Sequence, residues 1–322
     1  MAAEFSKPKP TRRRGTAGGT HVPVLLKEVM RCLNPAAGEA VADCTLGYGG
    51  HAVEFLRRVG SAGRLVGLDI DGAELDRTTA RLASLGLSTS VSLHRRNFAQ
   101  IEEVLAGEGL EGFDIIFADL GVSSMQVDDP ARGVSYAHDG PLDMRMDGRL
   151  ARTGADLLAE LPREQLAAAM EELSDEPDAA KIADWIVLQR DVQPIATTAQ
   201  LARLVLAAKG FSQRSRRRPW EVPGGLHPAA RTFQALRILV NDELGSLAAL
   251  LSAAPRCLRK GGRIGVISFH SGEDRLVKNS FRNGLAEGVY QTASTQVITP
   301  TSNEVRRNPR SSSAKFRWAR VG

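Results

Sequence analysis

Cysteine is scarce in this chain. Cys32, Cys44 and Cys257 are odd in number and show no Cys-x-x-Cys spacing. This excludes a disulfide framework and a cysteine-built zinc site, and it fits a reducing, cytoplasmic setting. Long apolar runs are missing too. None approaches the roughly 18 residues that a membrane span needs, so no membrane association is expected. The N-terminus has basic residues but no apolar stretch behind them, which argues against a secretory signal.

What is present suits a folded protein with a real core: 43% hydrophobic and 25% charged residues over 322 positions. That length leads us to expect about two domains. The net charge of +5 is unevenly spread. Residues 1–20 carry +4, residues 209–218 carry +5 and residues 300–322 carry +5, so the rest of the chain carries −9. Positive charge concentrated in short segments on an acidic body is the pattern of a polyanion binder. Trp220, Phe316 and Trp318 lie among the arginines, where aromatic rings can stack on unpaired bases. The competing reading of each cluster is a solvated tail or face.

The most informative segment is Val41-Ala42-Asp43-Cys44-Thr45-Leu46-Gly47-Tyr48-Gly49-Gly50-His51. A short apolar run ends in a carboxylate, turns through glycines and leads into a helix-like stretch. Glycines let the backbone approach a ligand, and a helix N-terminus then faces it. A second apolar run, Arg64 to Asp69, ends in an acid placed to accept hydrogen bonds from ribose hydroxyls. The separation of Gly47 from Asp69 fits a dinucleotide cradle and also a methyl-donor cradle. Asp43 favours the methyl donor, because a carboxylate there repels a pyrophosphate but answers an ammonium and a sulfonium.

Residues 1–20, rich in Lys, Pro, Arg, Gly and Thr, are expected to be disordered. After them, helices about 24–33, 51–59, 72–85 and 99–106 alternate with strands 40–44, 64–69, near 90–94 and 113–119. That alternation predicts a doubly wound, mostly parallel α/β sheet. A further strand follows the Gly261-Gly262 stop, yet Arg263 stands far beyond Asp119, well past what a crossover requires. The intervening sequence has helical apolar spacing at Leu157, Leu158, Leu161, Leu166, Met170 and Leu173. We therefore expect an all-helical domain, residues 136–228, inserted into a cofactor domain formed by 21–135 and 229–322. Strands near 289–299 and 314–321 are expected to close one sheet edge antiparallel.

Ligands of such a sheet bind outside the carboxyl ends of its strands, where Asp43, Asp69, Asp119 and Ser268-Phe269-His270 fall. The segments His21 to Leu26, Asp43 to His51, Asp119 to Ser124, Gly140 to Asp147, Phe233 to Arg237, Ser268 to Arg275 and Asn308 to Ala314 resemble the RsmH (MraW) family. The resemblance runs from about residue 21 to 318. It implies a methyltransferase-type, Rossmann-like sheet and S-adenosylmethionine-dependent methylation of cytosine N4 in 16S ribosomal RNA. The implied cofactor contacts are Gly49, Gly50, His51, Asp69, Phe98, Asp119 and Gln126, beside Asp43 and Gly47 from the motif itself. Gly272 and Met125 stand where the family usually has leucine and proline; neither change removes a polar group.

For the chemistry, Asp119 is the first candidate to accept the amine hydrogen, and binding the methionine ammonium is its rival role. Asp139, Asp143 and His270 are secondary candidates, each with a structural alternative as a helix cap or loop ion pair. Arg214, Arg216, Arg217, Arg218, Trp220, Arg306, Arg307, Arg310, Lys315 and Arg317 are expected to hold RNA. No metal is expected. The expected partner is 16S ribosomal RNA or the small ribosomal subunit, with the protein a monomer or homodimer. An NAD-linked oxidoreductase and a non-catalytic RNA-binding assembly factor are the competing functions.

Overall fold

The computed structural model describes residues 22–211 and 226–322. The first half alternates as its sequence suggests: α1 (Leu26–Leu33), β1 (Ala40–Asp43), α2 (Gly50–Val59), β2 (Arg64–Asp69), α3 (Gly72–Ser84), β3 (Val91–Arg95), α4 (Ile101–Gly107), β4 (Phe113–Asp119) and α5 (Ser124–Asp128). Five helices follow, α6 (Gly154–Glu160), α7 (Arg163–Ser174), α8 (Ala179–Arg190), α9 (Thr198–Ala208) and α10 (Ala230–Asn241). The chain then returns through α11 (Glu243–Cys257), β5 (Leu258–Ser268), α12 (Ser271–Ala286), β6 (Tyr290–Ala293), α13 (Ser302–Arg307) and β7 (Lys315–Val321).

One seven-stranded sheet has the order β3-β2-β1-β4-β5-β7-β6. Only β7 runs against the rest, inserted between β5 and β6. Both expected late strands are therefore present, and β6 is shorter than its sequence suggested. The expected helix end at Leu258–Lys260 is instead the start of β5. The sheet is buried on both faces because neighbouring strand residues point opposite ways. Val66, Leu68, Ile116, Ala118 and Val266 pack against α4, α11 and α12. Val41, Leu65, Ile115, Phe117 and Ile267 pack against α1, α2 and α3.

A third apolar cluster lies wholly between β4 and β5 in chain order. Leu142 and Met144 join Leu157, Leu158, Leu166, Met170, Ile182, Ile186, Leu201 and Val205, at the periodic positions of the sequence. Phe233 and Leu236 of α10 belong to it as well, so this packing unit extends past residue 228, where the sequence pattern placed its edge. Side-chain caps fix the helix starts. Ser123 with Gln126, Thr153 with Asp156 and Thr197 with Gln200 each form reciprocal capping boxes, which satisfy otherwise unpaired N–H groups. No described helix is long and apolar enough to cross a membrane.

Two of the basic side chains expected to hold RNA also make ion pairs within the fold. Arg317 on β7 is 8% exposed and donates to Asp274 of α12 from Nε at 2.7 Å. Lys315 reaches the same carboxylate at 3.6 Å. Burial opposes the charge of Asp274, but the hydrogen bonds and charges of Arg317 and Lys315 outweigh it and hold its pKa below the usual range. Removing one member of a buried pair leaves the other charge uncompensated. Arg317→Ala is therefore expected to lower the unfolding free energy by about 3 kcal/mol in urea titrations; unchanged stability would mean that the pair adds nothing to the fold.

Candidate active site

The sheet reverses its winding between β1 and β4, so a crevice opens beyond their carboxyl ends. Asp43 ends β1, Asp69 ends β2 and Asp119 ends β4. The glycine turn that follows β1 is held from both sides. Gly47 donates its N–H to Asp69 Oδ2 at 2.8 Å, and its carbonyl accepts from Thr78 Oγ1. Gly47 and Gly49 have φ of 47° and 74°, a region that disfavours residues with a Cβ. At Gly49 a Cβ would also lie 2.8 Å from Thr78 Cγ2, whereas at Gly47 it would meet only the Thr45 carbonyl oxygen, at 3.9 Å. The turn thus presents bare backbone beside the acids. Arg81 donates to the Tyr48 carbonyl and lies over the Tyr48 ring, 4.3 Å from its centroid.

The acids are crowded, and Asp43 is fully buried among them. Asp43 is 1% exposed, accepts only a 3.3 Å hydrogen bond from the Thr45 N–H, and is pushed up to about 7 by burial, with Asp69 adding repulsion. Asp69 is also raised by burial, although the N–H groups of Asp71 and Gly47 oppose the shift. Asp119 is raised well above the carboxylate range by burial, and then by the charges of Asp43 and Glu273. Its Oδ1 is buried with no hydrogen-bond partner among the described residues. Its Oδ2 lies 3.7 Å from His51 Nδ1, while His51 Nε2 is 3.0 Å from the Val24 carbonyl oxygen. A neutral His51 donating from Nε2 to that carbonyl turns its Nδ1 lone pair toward Asp119.

Other expected residues are held differently. Gln126 spends its amide locally: Oε1 accepts from the Ser123 N–H and Nε2 donates to Asp71. Phe98 opens a short 3-10 turn after β3 and packs at the edge of the core. Asp139 is exposed and accepts from the Ala199 N–H at 3.2 Å. That bond and the Thr197 hydroxyl lower its pKa, so it serves the start of α9. Asp143 is clamped by Arg145 through two bonds of 2.7 and 2.8 Å, which lower its pKa. Both carboxylates are therefore engaged in local contacts. His270 caps α12 by accepting from the Glu273 N–H. His270, Glu273 and Glu243 offer ligand atoms within 4.8 Å of one another, but Arg237 already takes both Glu243 oxygens.

Arg310 pairs with Asp128 at 2.7 Å, while Arg306 and Arg307 are exposed on α13. Arg214, Arg216, Arg217, Arg218 and Trp220, like residues 1–20, lie outside the described residues. The sequence reading missed Thr45, whose Oγ1 accepts the Asp119 N–H at 2.6 Å, and Glu273, whose field reaches Asp119. It also missed the Asp71–Arg132 ion pair. Glu273 carries a readable signal, the helix-capping pattern three residues after His270. The ion pair carries none, because its partners are 61 residues apart. A cavity of about 410 Å³ lined by Pro23, Leu26, Gly50, Glu54, Arg57 and Arg81 among others includes none of the three acids, so it is not the crevice described here.

A profile of the MraW methylase family matches residues 18–321. A protein named ribosomal RNA small subunit methyltransferase H from Acidobacterium capsulatum is 43% identical, over 93% of this chain and 97% of its own. Relatives of the same name from Symbiobacterium thermophilum and Geotalea daltonii are 43% and 44% identical, each over 92% of this chain and 95% and 97% of theirs.

The raised acid Asp43 makes stability depend on pH. The folded protein keeps this proton up to about 7, whereas the unfolded chain releases it near 4. Unfolding therefore releases a proton between those values, and stability falls as pH rises from about 4 to 7. Asp43→Asn is expected to make that fall shallower by up to about 4 kcal/mol, read from denaturant midpoints across the range. An unchanged slope would mean that Asp43 is already ionised in the folded state.

Proposed function

Because this chain belongs to the MraW methylase family, we propose that it transfers a methyl group from S-adenosylmethionine to the N4 amine of a cytidine in the decoding region of 16S ribosomal RNA. The observation that carries this reading is the buried Oδ1 of Asp119, without a hydrogen-bond partner among the described residues, and a second buried acid, Asp43, whose charge reaches it. Buried carboxylates lacking a cation suit a ligand that brings positive charge. S-adenosylmethionine brings an ammonium and a sulfonium, whereas the pyrophosphate of NAD would meet the same field as repulsion. The bare turn at Gly47 fits close approach of such a ligand.

In this reading Asp43 would hold the ammonium, Asp69 the ribose hydroxyls and Phe98 the adenine side, with Gly47, Gly49, Gly50 and His51 shaping the turn. When bound, the cofactor supplies an electron-poor methyl group on sulfur. Cytosine N4 is a poor nucleophile, since its lone pair is delocalised into the ring. Asp119 Oδ1 would accept an N4 hydrogen, which localises that lone pair for in-line attack, and would take the proton as the new C–N bond forms and the methyl–sulfur bond breaks, its electron pair leaving on sulfur. Burial alone would keep Asp119 protonated and unable to take up the N4 proton. With a cation bound beside it Asp119 would release its proton to solvent, so the acceptor would be armed only in the binary complex.

The base must leave its stack to reach this crevice. The helices between β4 and β5 form the substrate-recognition domain in this proposal, and Arg306, Arg307 and the Arg214 to Trp220 segment hold RNA. The protein then works in the cytoplasm on ribosomal RNA or the assembling small subunit. Small subunits from cells lacking the protein, incubated with the enzyme and S-adenosylmethionine, should gain N4-methylcytidine by nucleoside mass spectrometry. Asp119→Ala should slow that transfer by about 100- to 10,000-fold. No methylcytidine with the wild type would contradict the function, and near wild-type rates for Asp119→Ala would remove this residue from the chemistry.

A further inference from the structure

The stretch between β4 and α6 meets the end of β2 at one buried acid, Asp71. This residue is 5% exposed and lies just beyond Asp69 in the chain. Its N–H donates to Asp69 Oδ1 at 2.9 Å. Its own Oδ1 accepts the Ala73 N–H at 3.0 Å and so caps α3. The other oxygen, Oδ2, faces the stretch after β4, accepting from Gln126 Nε2 at 3.3 Å and from Arg132 Nη2 at 2.5 Å. Asp71 therefore holds the acid assigned above to the ribose and, with its side chain, two residues of that stretch.

Arg132 in turn is fixed to the helical unit. Its carbonyl accepts the Met144 N–H at 2.9 Å, and its Nη1 donates to the Met146 carbonyl at 3.4 Å. Gly133, next in the chain, has φ of 64°, and a Cβ there would run into the Pro141 carbonyl oxygen. The two backbones thus lie directly against each other. Leu142 and Met144 belong to the apolar core of the helices between β4 and β5. Asn241 of α10 braces them, donating to the Met144 carbonyl at 2.8 Å and accepting the Met146 N–H at 2.7 Å. A continuous series of contacts therefore runs from the glycine turn through Asp69, Asp71 and Arg132 to the helical core. Another ion pair across the same two units, Arg275 with Asp175 at 3.9 Å, is more than half exposed on both sides, and such pairs contribute little. The Arg132 and Asp71 side chains are only 29% and 6% exposed, so loss of either strands a charge.

We propose that Arg132 is a positioning residue, whose pair with Asp71 sets the helical unit, and the nucleotide that unit carries, in register with the methyl donor. This rests on the RNA methyltransferase reading above and adds the joint between its two binding surfaces. In-line transfer tolerates little misplacement: a shift of about 1 Å costs on the order of 100-fold in rate. Arg132 acts through Asp71 on one side and through Met144 and Met146 on the other. Its planar guanidinium serves a carboxylate and a carbonyl together, a geometry that a lysine ammonium does not reproduce.

The test compares the wild type with Arg132→Lys and with the paired change Asp71→Asn/Arg132→Gln, in which neither charge is left buried alone. The substrate is small subunits from cells lacking the enzyme. Both variants should keep the wild-type melting temperature and S-adenosylmethionine affinity, while kcat falls by about 100-fold. A second readout needs no turnover. Amide exchange at Met144 and Met146 should slow when S-adenosylmethionine is added to the wild type, and this slowing should vanish in both variants. Wild-type kcat in either variant, melting temperature falling together with kcat, or amide exchange that answers the cofactor equally in all three proteins would each overturn the joint. A wild type that methylates no subunit would overturn the enzymatic reading itself, and the proposal with it.

Discussion

The cost of ionising the carboxyl groups buried at the carboxyl ends of β1 and β4 is the constraint around which this protein is organised. Parallel strands buried on both faces deliver Asp43 and Asp119 into a crevice where neither meets a cation among the described residues. A buried ionised carboxylate is costly, so the folded protein keeps these groups protonated well above their ordinary range. The same cost makes the crevice selective, because a ligand carrying positive charge relieves it and an anionic ligand worsens it. Affinity, cofactor choice and readiness to accept a proton then follow from one electrostatic imbalance.

The surrounding structure keeps that imbalance from relaxing. Thr45 holds the Asp119 backbone through its N–H, Gly47 holds Asp69, and Thr78 closes on the turn from α3. Three arginines are committed to other acids: Arg132 to Asp71, Arg237 to Glu243 and Arg317 to Asp274. These pairs also join different parts of the chain. Arg132 ties the loop after β4 to the end of β2, and Arg317 ties β7 to α12.

Much of this is legible in the sequence. The run from Phe113 to Asp119 is apolar without alternation, which is how a strand covered on both faces reads. The long stretch between Asp119 and Arg263 demands an insertion, and the spacing of Leu157, Leu158, Leu166 and Met170 marks it as helical. The glycine turn and its acids are visible because they obey local rules. Long-range pairing is not. Arg317 reads as one more basic residue in a tail, and only the antiparallel β7 buries it against Asp274. Asp139 and Asp143 look catalytic in an acid-rich segment, yet one serves the start of α9 and the other is clamped by Arg145. The end of the helical cluster at Leu236 is equally hidden, since α10 has the same apolar spacing whichever body it packs on.

The central claim concerns protonation, so it is best tested at the carboxyl groups themselves. Carbon-13 NMR of the Asp43 and Asp119 carboxyl signals, assigned with Asp→Asn variants, would follow them with and without S-adenosylmethionine at about pH 6, below the value of about 7 for Asp43. The account predicts that both are protonated in the protein alone and ionise when the cofactor is added. Carboxylates already ionised in the protein alone, or protons that stay in place after binding, would contradict it.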